Sequence, residues 1–531
     1  MTVVAGSEFL MVDQAPVNTW VIGVSFAVYT LAIVAIGLYS AKFAKRSDED
    51  FFLAGRSLGG WVAALSASAS SESGWVTLGL VGVAFGSGVS AYWIIPGCLL
   101  GFLFNWFVLA GRMRDRSRQL SALTLPDFFA FNFKERLPLL RVLSVVVILV
   151  AMLLYVAAQL AAAGKAFSAT FPGSNAASMT GDYRVGVWIG AAIVLLYTVA
   201  GGFRAVCWTD FLQAFLMFGT LVIFPVYLLA TQGGYGFIFE QLEAVGDPKL
   251  LSLSWGRTGI AFFGFLLGSH ALGINFGYPG QPHVLVRFMA LRERRDARIA
   301  GVIAFCWGLC VYWGAVTVGL MARAMTAGGA EWGQLMLAEE TQEVYKELGL
   351  VMSAMHMLPG VLAGLVLAAV LAAICSTADS QLVVAASSAA NDLYARLFAK
   401  GRQQTNMLAN RLVVLALGLG ATALAIKNPL NVYNYVLTYG WAIMGAAFGP
   451  QLILVLMWKR ASYAGCLAGM ITGFAVVLIW KLAYSYDATD PTSVEVYNLP
   501  LAFVAALVVN VVVSLIKPDP SPAKHADVRA A

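Results

Sequence analysis

Charge is scarce in this chain. Only 12% of its 531 residues are Asp, Glu, Lys or Arg, about half the share of a soluble protein, which excludes an ordinary water-soluble domain. Cysteine is scarce as well and poorly placed for chemistry. Cys98, Cys207, Cys306, Cys310, Cys375 and Cys466 fall in apolar or membrane-edge stretches, with no CxxC and no Cys/His metal spacing, so neither a disulfide framework nor a metal site is expected. The first 18 residues hold Glu8 and Asp13 but no Lys or Arg, unlike the basic start of a cleavable signal peptide. No alternating strand pattern marks a β-barrel, and no repeat of about 20–50 residues marks a solenoid. With no nucleophile–base pair or metal triad either, an enzyme is not expected; nor is a cofactor.

What the chain has is apolar length. It is 60% hydrophobic, and runs of about 20 apolar residues, each able to cross the hydrocarbon core, recur from Trp20 to Ile516. The first, 20–39, is too long for the apolar stretch of a signal peptide and reads as a retained helix. Thirteen spans are counted, an all-α polytopic membrane protein. The net charge of +6 sits in short loops. Lys42, Lys45 and Arg46 follow span one; "RMRDRSR" (112–118), Lys134 and Arg136 follow span three; Arg204 follows span five. "RFMALRERRDAR" (287–298) follows span seven, "ARLFAKGR" (395–402) span nine, Lys459 and Arg460 span eleven, and Lys517 span thirteen. Every basic cluster thus follows an odd-numbered span, and the loops between are mostly neutral or acidic, as in "AEETQE" (338–343) and "YDATDPTSVEV" (486–496). Lys249, Lys427 and Lys481 are isolated exceptions. The positive-inside rule then puts the N-terminus outside and the C-terminus in the cytoplasm. The basic balance reports membrane orientation, not a nucleic-acid partner. The expected layout is an extracellular segment over 1–19, a transporter domain over 20–517 and a cytoplasmic tail over 518–531.

Two spans are interrupted. Span two carries "SASSESG" (68–74), and span seven carries "GSHALGINFGYPGQPH" (268–283), with four glycines and two prolines in 16 residues. Unwound backbone at membrane depth is tolerated only where protein buries it or it lines a watery cavity. The breaks lie five spans apart, an odd number, so the two halves have opposite orientation. That is the arrangement of inverted-repeat secondary transporters, whose paired broken helices make the substrate and ion site.

Glu72 in span two, Asp210 at the start of span six and Asp379 in span nine are the carboxylates set most deeply in apolar sequence, and such residues usually mark ion pathways. Span nine packs Ser376, Thr377, Asp379, Ser380 and Gln381 into six positions, supplying the oxygen donors a hard cation needs. Each has a plainer reading. Membrane Ser and Thr ordinarily bond to their own helical turn or join helices. Asp210 could be a cytoplasmic-end charge near Arg204, and Glu72 could cap the second half-helix. Lys165, late in span four, is read as snorkelling to the outer surface, and Trp and Tyr near span ends as interface belts. His270 and His283 are read as packed side chains.

"FFLAGRSLGGWVAALSASASSESGW" (51–75), "YTVAGGFRAVCWTDFLQ" (197–213), "FGYPGQPHVLVRFMA" (276–290) and "AAICSTADSQL" (372–382) resemble the sodium/solute symporter family. Within it they are most similar to the sodium/proline symporters. The resemblance implies thirteen spans around a LeuT-type 5+5 inverted-repeat core over about 60–460, with helices two and seven broken. It implies a sodium site made by the carbonyls of Ala69, Glu72 and Ala373 and the hydroxyls of Ser376 and Thr377. Asp210 matches a family aspartate implicated in ion coupling, with Asp379 and Ser380 near it. For the solute it implies Tyr155, Tyr278 and Pro282, to which the neighbouring Ser71 and Gln281 are added. The chain departs from the proline symporters at three places. Their span-two acid stands where this chain has Ser71, one place before Glu72; a tryptophan stands where this chain has Ile274; and Asp379 replaces a small polar residue, which could favour a second cation or a proton.

The expected function is sodium-coupled import of a small solute, proline or a related amino acid, by alternating access. The expected location is the cell inner (plasma) membrane, as a monomer in the bilayer. Symport of a monocarboxylate, pantothenate or another amino acid is the alternative. A solute sensor on the same fold would carry a signalling domain after the last span, where about 15 residues follow Ile516.

Overall fold

The computed structural model describes residues 19–40, 48–171, 180–337, 345–398, 407–427, 431–484 and 496–519. The expected outer segment and cytoplasmic tail lie, but for Thr19, Pro518 and Asp519, outside the described residues. So do the loop charges of Lys42, Lys45 and Arg46 and those of 338–343, 399–402 and 486–495.

Regular structure among the described residues is helical, with one isolated parallel bridge between Leu58 and Leu291. Nine helices among them are long and apolar enough to cross a membrane, including Leu139–Thr170, Arg294–Ala327, Tyr463–Trp480 and Asn498–Ile516. Shorter apolar helices cover Thr19–Ile33 and Tyr183–Leu196, and glycines break two of the longer helical runs. Trp75–Gln119 runs as 45 helical residues but turns at Gly88, whose φ of 63° and ψ of −144° no helix admits; a Cβ there would meet the Leu250 carbonyl oxygen at 2.0 Å. Thr180–Phe218 is likewise two helices joined at Gly202, with φ 61°. The two segments expected to be interrupted never reach full length.

Both interruptions fall where Ser, Gly and Pro cluster. The helix Gly60–Ser71 stops at Glu72 (φ −99°, ψ 56°), and helical structure resumes at Trp75. Gly259–Leu266 gives way to a tight 3₁₀ stretch, Leu272–Gly280, before Pro282 opens Pro282–Met289. Proline suits that first position because its missing N–H would be unpaired there anyway. Gly60–Ser71 packs against Thr180–Phe218, Arg294–Ala327 and Gly360–Ser387, and Pro282–Met289 also reaches Gly360–Ser387. The two breaks and the hydroxyl-rich helix therefore share one core.

The specific motif blocks touch each other. Arg56 of "AGRSLG" donates to the carbonyls of Met289 (3.3 Å) and Ala122 (2.8 Å) and pairs with Glu49 at 2.5 Å. Leu58 N–H donates to the Ala290 carbonyl at 3.1 Å, and Arg292 N–H returns a bond to Leu58 at 2.9 Å. A buried cluster nearby joins Arg141 to both Asp127 (2.5 Å) and Asp392 (2.6 Å), with Thr124 donating to Asp392 at 2.8 Å.

Two basic residues sit elsewhere than expected. Arg287, counted with a loop cluster, is fully buried within Pro282–Met289. Lys165, read as snorkelling, is also fully buried and pairs with Glu347 at 2.5 Å. Glu347 in turn accepts the N–H groups of Val432 (3.2 Å) and Tyr433 (3.0 Å) at the start of a helix. A lysine with a long apolar stem snorkels when no countercharge is near; here a carboxylate from a distant segment supplies one.

Candidate functional site

Helices two and nine of the sequence count meet through oxygen atoms. The Ser376 hydroxyl donates to the Ala69 carbonyl at 2.9 Å and to Ala373 at 3.1 Å. The Thr377 hydroxyl donates to the Ser70 carbonyl at 2.9 Å and to Ala373 at 3.2 Å. Five oxygens, three main-chain and two hydroxyl, thus converge one turn before the break, and every residue contributing them is buried. Neutral oxygens in that number suit a hard monovalent cation that has shed its water. Ala69, Ala373, Ser376 and Thr377 come together as expected. The Ser70 carbonyl joins them without having been singled out.

The Glu72 side chain is engaged elsewhere. Its carboxylate accepts from the Trp307 indole N–H at 2.5 Å, leaving Oε1 without a hydrogen bond. No hydrogen bond of its side chain goes to Ser376 or Thr377, and its own N–H is taken by the Ser68 carbonyl at 2.8 Å. The opposite edge of the break is held by Gln159, which accepts the Gly74 N–H at 2.9 Å.

Beside the oxygen cluster lies a second polar knot. Asp210 Oδ2 accepts from Ser66 (2.7 Å), Ser70 (3.2 Å) and Arg287 Nη2 (2.8 Å). The partner of Asp210 is therefore Arg287, a residue of the broken seventh segment, in place of Arg204. Arg287 Nη2 also donates to the hydroxyls of Ser70 (2.7 Å) and Ser380 (2.8 Å), Nε donates to Ser66 at 2.9 Å, and Nη1 donates to the His283 carbonyl. Asp210 and Ser380 are thus brought together, through an arginine that the loop reading had hidden. The clue in the sequence was its setting, "HVLVRFMAL" (283–291), a lone base in an apolar run. Asp379 is buried on the same helix as Ser380.

Of the residues expected at the solute, Tyr155, Tyr278 and Gln281 gather around Gly440 and Trp441, while Pro282 lines a small gap with Phe52, Leu123 and Val384. A Cβ on Gly440 would lie 2.9 Å from that of Tyr155. The Trp441 ring stands edge-on to Tyr278 with centroids 4.8 Å apart. Gln281 Nε2 donates to the carbonyls of Gly277 (2.9 Å) and Trp441 (3.2 Å). The Trp441 indole N–H donates to the Ile274 carbonyl at 3.1 Å, so an indole from another segment stands against the position where an aromatic side chain is missing. The Tyr155 hydroxyl lies 3.5 Å from that of Ser73 and its ring is edge-on to His283. Tyr278 pairs with Tyr312 at 3.1 Å. Ser71 bonds back to the Ser68 carbonyl at 3.1 Å, the plain helical pattern, while its own carbonyl accepts the Trp75 indole N–H at 2.7 Å. Trp75 packs on Tyr433 at 6.1 Å, and Tyr433 with His270, Glu347, Ser87 and Trp255 lines a cavity of about 360 Å³. His270 stacks on Tyr433 with centroids 5.0 Å apart, packed as expected.

Interrupted helices that converge on a buried hydroxyl-and-carbonyl cluster define a membrane carrier coupled to a small cation. Residues 51–473 match the model of the sodium:solute symporter family, and the chain belongs to that family. It is accordingly a sodium-coupled solute symporter and not an enzyme. It is 34% identical to the osmoregulated proline transporter OpuE of Bacillus subtilis over 94% of this chain and 96% of that one. It is 37% identical to the sodium/proline symporter of Escherichia coli over 86% and 87%. The same B. subtilis strain has a high-affinity proline transporter, PutP, that is 35% identical over 89% and 94%. Among solved structures, a Na⁺-coupled sialic acid symporter in a substrate-bound outward-open state superposes with a TM-score of 0.72 at 17% identity, covering 94% of this chain and 98% of that one. The fold is shared at that distance.

Proposed function

We propose that the protein imports proline or a closely related amino acid together with sodium across the cell inner membrane. It works as a monomer of thirteen crossings, its N-terminus outside and its C-terminus in the cytoplasm. In this reading the transporter domain covers 20–517, its inverted-repeat core about 60–460, and the flanking segments 1–19 and 518–531 are an outer lead and a cytoplasmic tail. The observation that carries it is the meeting of the Ser376 and Thr377 hydroxyls with the Ala69 and Ser70 carbonyls beside the break. A sodium ion there takes those oxygens with Ala373, holds the broken helix to its partner and so fixes the edge of the solute pocket. The Glu72 carbonyl would be a further ligand. Proline as the solute is supported by the proline-transporting relatives and by the aromatic group of Tyr155, Tyr278 and Trp441, whose faces suit an ammonium or a ring, with Ser71, Gln281 and Pro282 at its border. Moving one positive charge inward down 100 mV yields about 2.3 kcal/mol, roughly fifty-fold accumulation.

The test is uptake of labelled proline into proteoliposomes with and without external sodium, competed by amino acids, monocarboxylates and pantothenate. Sodium-dependent proline uptake blocked by cold proline is expected. Uptake of another class with proline inert would replace the solute, and uptake indifferent to sodium would remove the ion site.

A further inference from the structure

We infer that Arg287 serves as a built-in cation in the Asp210 site, so that the carrier binds one sodium ion per chain and not two. The inference rests on the sodium reading above and concerns how many ions that reading involves.

Asp210 is fully buried, and an ionised carboxylate without a countercharge at that depth is prohibitively costly. To stay ionised it must be met by a mobile cation or a fixed one. Oxygen donors for a mobile cation are present: Asp210 Oδ2 and the hydroxyls of Ser66, Ser70 and Ser380. Yet each of the four already faces a guanidinium nitrogen, at 2.8, 2.9, 2.7 and 2.8 Å respectively. The remaining nitrogen is held by the His283 carbonyl, so the group is anchored on three sides. Arginine stays protonated in proteins, and this one is also completely buried, its charge lying over the Phe203 ring at 5.3 Å. A sodium ion on the same oxygens would have to displace the guanidinium or sit within a few ångströms of it, where repulsion in a medium of low dielectric is severe. The arginine is bonded to Asp210 through Oδ2, while Oδ1 makes no hydrogen bond.

The position of Arg287 adds a mechanical role. It belongs to the second half of one broken segment, its serine partners to the first half of the other, and Ser380 to the hydroxyl-rich helix. A single side chain therefore ties both breaks to the helix that carries Ser376 and Thr377. Ser70 is common to both groups, its carbonyl at Thr377 and its hydroxyl at Arg287, so an ion arriving at the first site is felt at the second without another ion entering.

Equilibrium binding of ²²Na⁺ to the purified full-length protein counts sites without reference to the solute. One ion per chain with a Hill coefficient near 1 is expected. Arg287→Gln strands the Asp210 charge and should raise the count to two, and Arg287→Lys, which restores a fixed charge, should return it to one. Two ions on the unaltered protein would overturn the inference, as would a second ion that disappears in Asp379→Asn, because that carboxylate would then hold it. Arg287→Gln folding normally with one ion would overturn it too. If Arg287→Gln does not fold, the count on the unaltered protein decides. No sodium binding at all would remove the sodium reading itself, an outcome distinct from two.

Discussion

Replacing Thr377 by alanine isolates one proposed ligand of the sodium ion. The hydroxyl bridges the Ser70 carbonyl on one helix and the Ala373 carbonyl on its own, at 2.9 and 3.2 Å. If it turns its lone pairs to an incoming ion, its removal deletes an interaction with a full charge, worth about 1.5–3 kcal/mol. Each 1.4 kcal/mol is tenfold in affinity, so the sodium concentration for half-maximal uptake should rise about ten- to a hundredfold. Uptake kinetics in proteoliposomes measure this directly, read at saturating solute and corrected for the amount of inserted protein. Thr377→Ser keeps the oxygen and should stay within about threefold of the unaltered protein, under 1 kcal/mol. The competing role is a plain staple between helices. In that case alanine lowers the yield of folded carrier and leaves the sodium dependence of the surviving molecules unchanged, and that result would refute the assignment.

Other perturbations follow the same geometry. Lys165→Met leaves Glu347 buried without its cation, a loss of about 3–5 kcal/mol; adding Glu347→Gln should recover most of it in thermal unfolding in detergent, and equal losses for single and double variants would deny the pair its role. Glu72→Gln should move the sodium half-saturation by no more than about threefold, because the carboxylate is engaged by Trp307; a tenfold rise in the same uptake assay would place that carboxylate on the ion. Trp441→Phe removes the bond to the Ile274 carbonyl and leaves that oxygen orphaned, at about 1–3 kcal/mol. The solute half-saturation should rise about tenfold with the sodium value unmoved, and the opposite pattern would relocate the solute pocket.

The sequence showed the breaks because their cause is local. Ser, Gly and Pro at 68–74 and 268–283 cannot sustain an apolar helix, and helical structure stops at Glu72 and Gln281. The hydroxyl-rich helix was legible for the same reason, since Ser376, Thr377 and Ser380 lie close together in one apolar run. Ion pairing was not. Asp210 and Arg287 are 77 residues apart and Lys165 and Glu347 are 182 apart, and a lone base in an apolar stretch looks the same whether it snorkels or meets a distant acid. Trp441 was hidden by a similar default, since tryptophans are assigned to the membrane interface unless something else claims them, and this one is fully buried.

The hydroxyls of Ser376 and Thr377 also bear on the return stroke. A carrier that releases its ion inside must swing back with main-chain oxygens no longer coordinated, and buried carbonyls left bare cost about 1–3 kcal/mol each. In the proposed site the same two hydroxyls, with one proton each, can cover two of the carbonyls of Ala69, Ser70 and Ala373 at a time, standing in for the ion. Unloaded recycling through the proposed site then meets a smaller desolvation cost than bare carbonyls would impose.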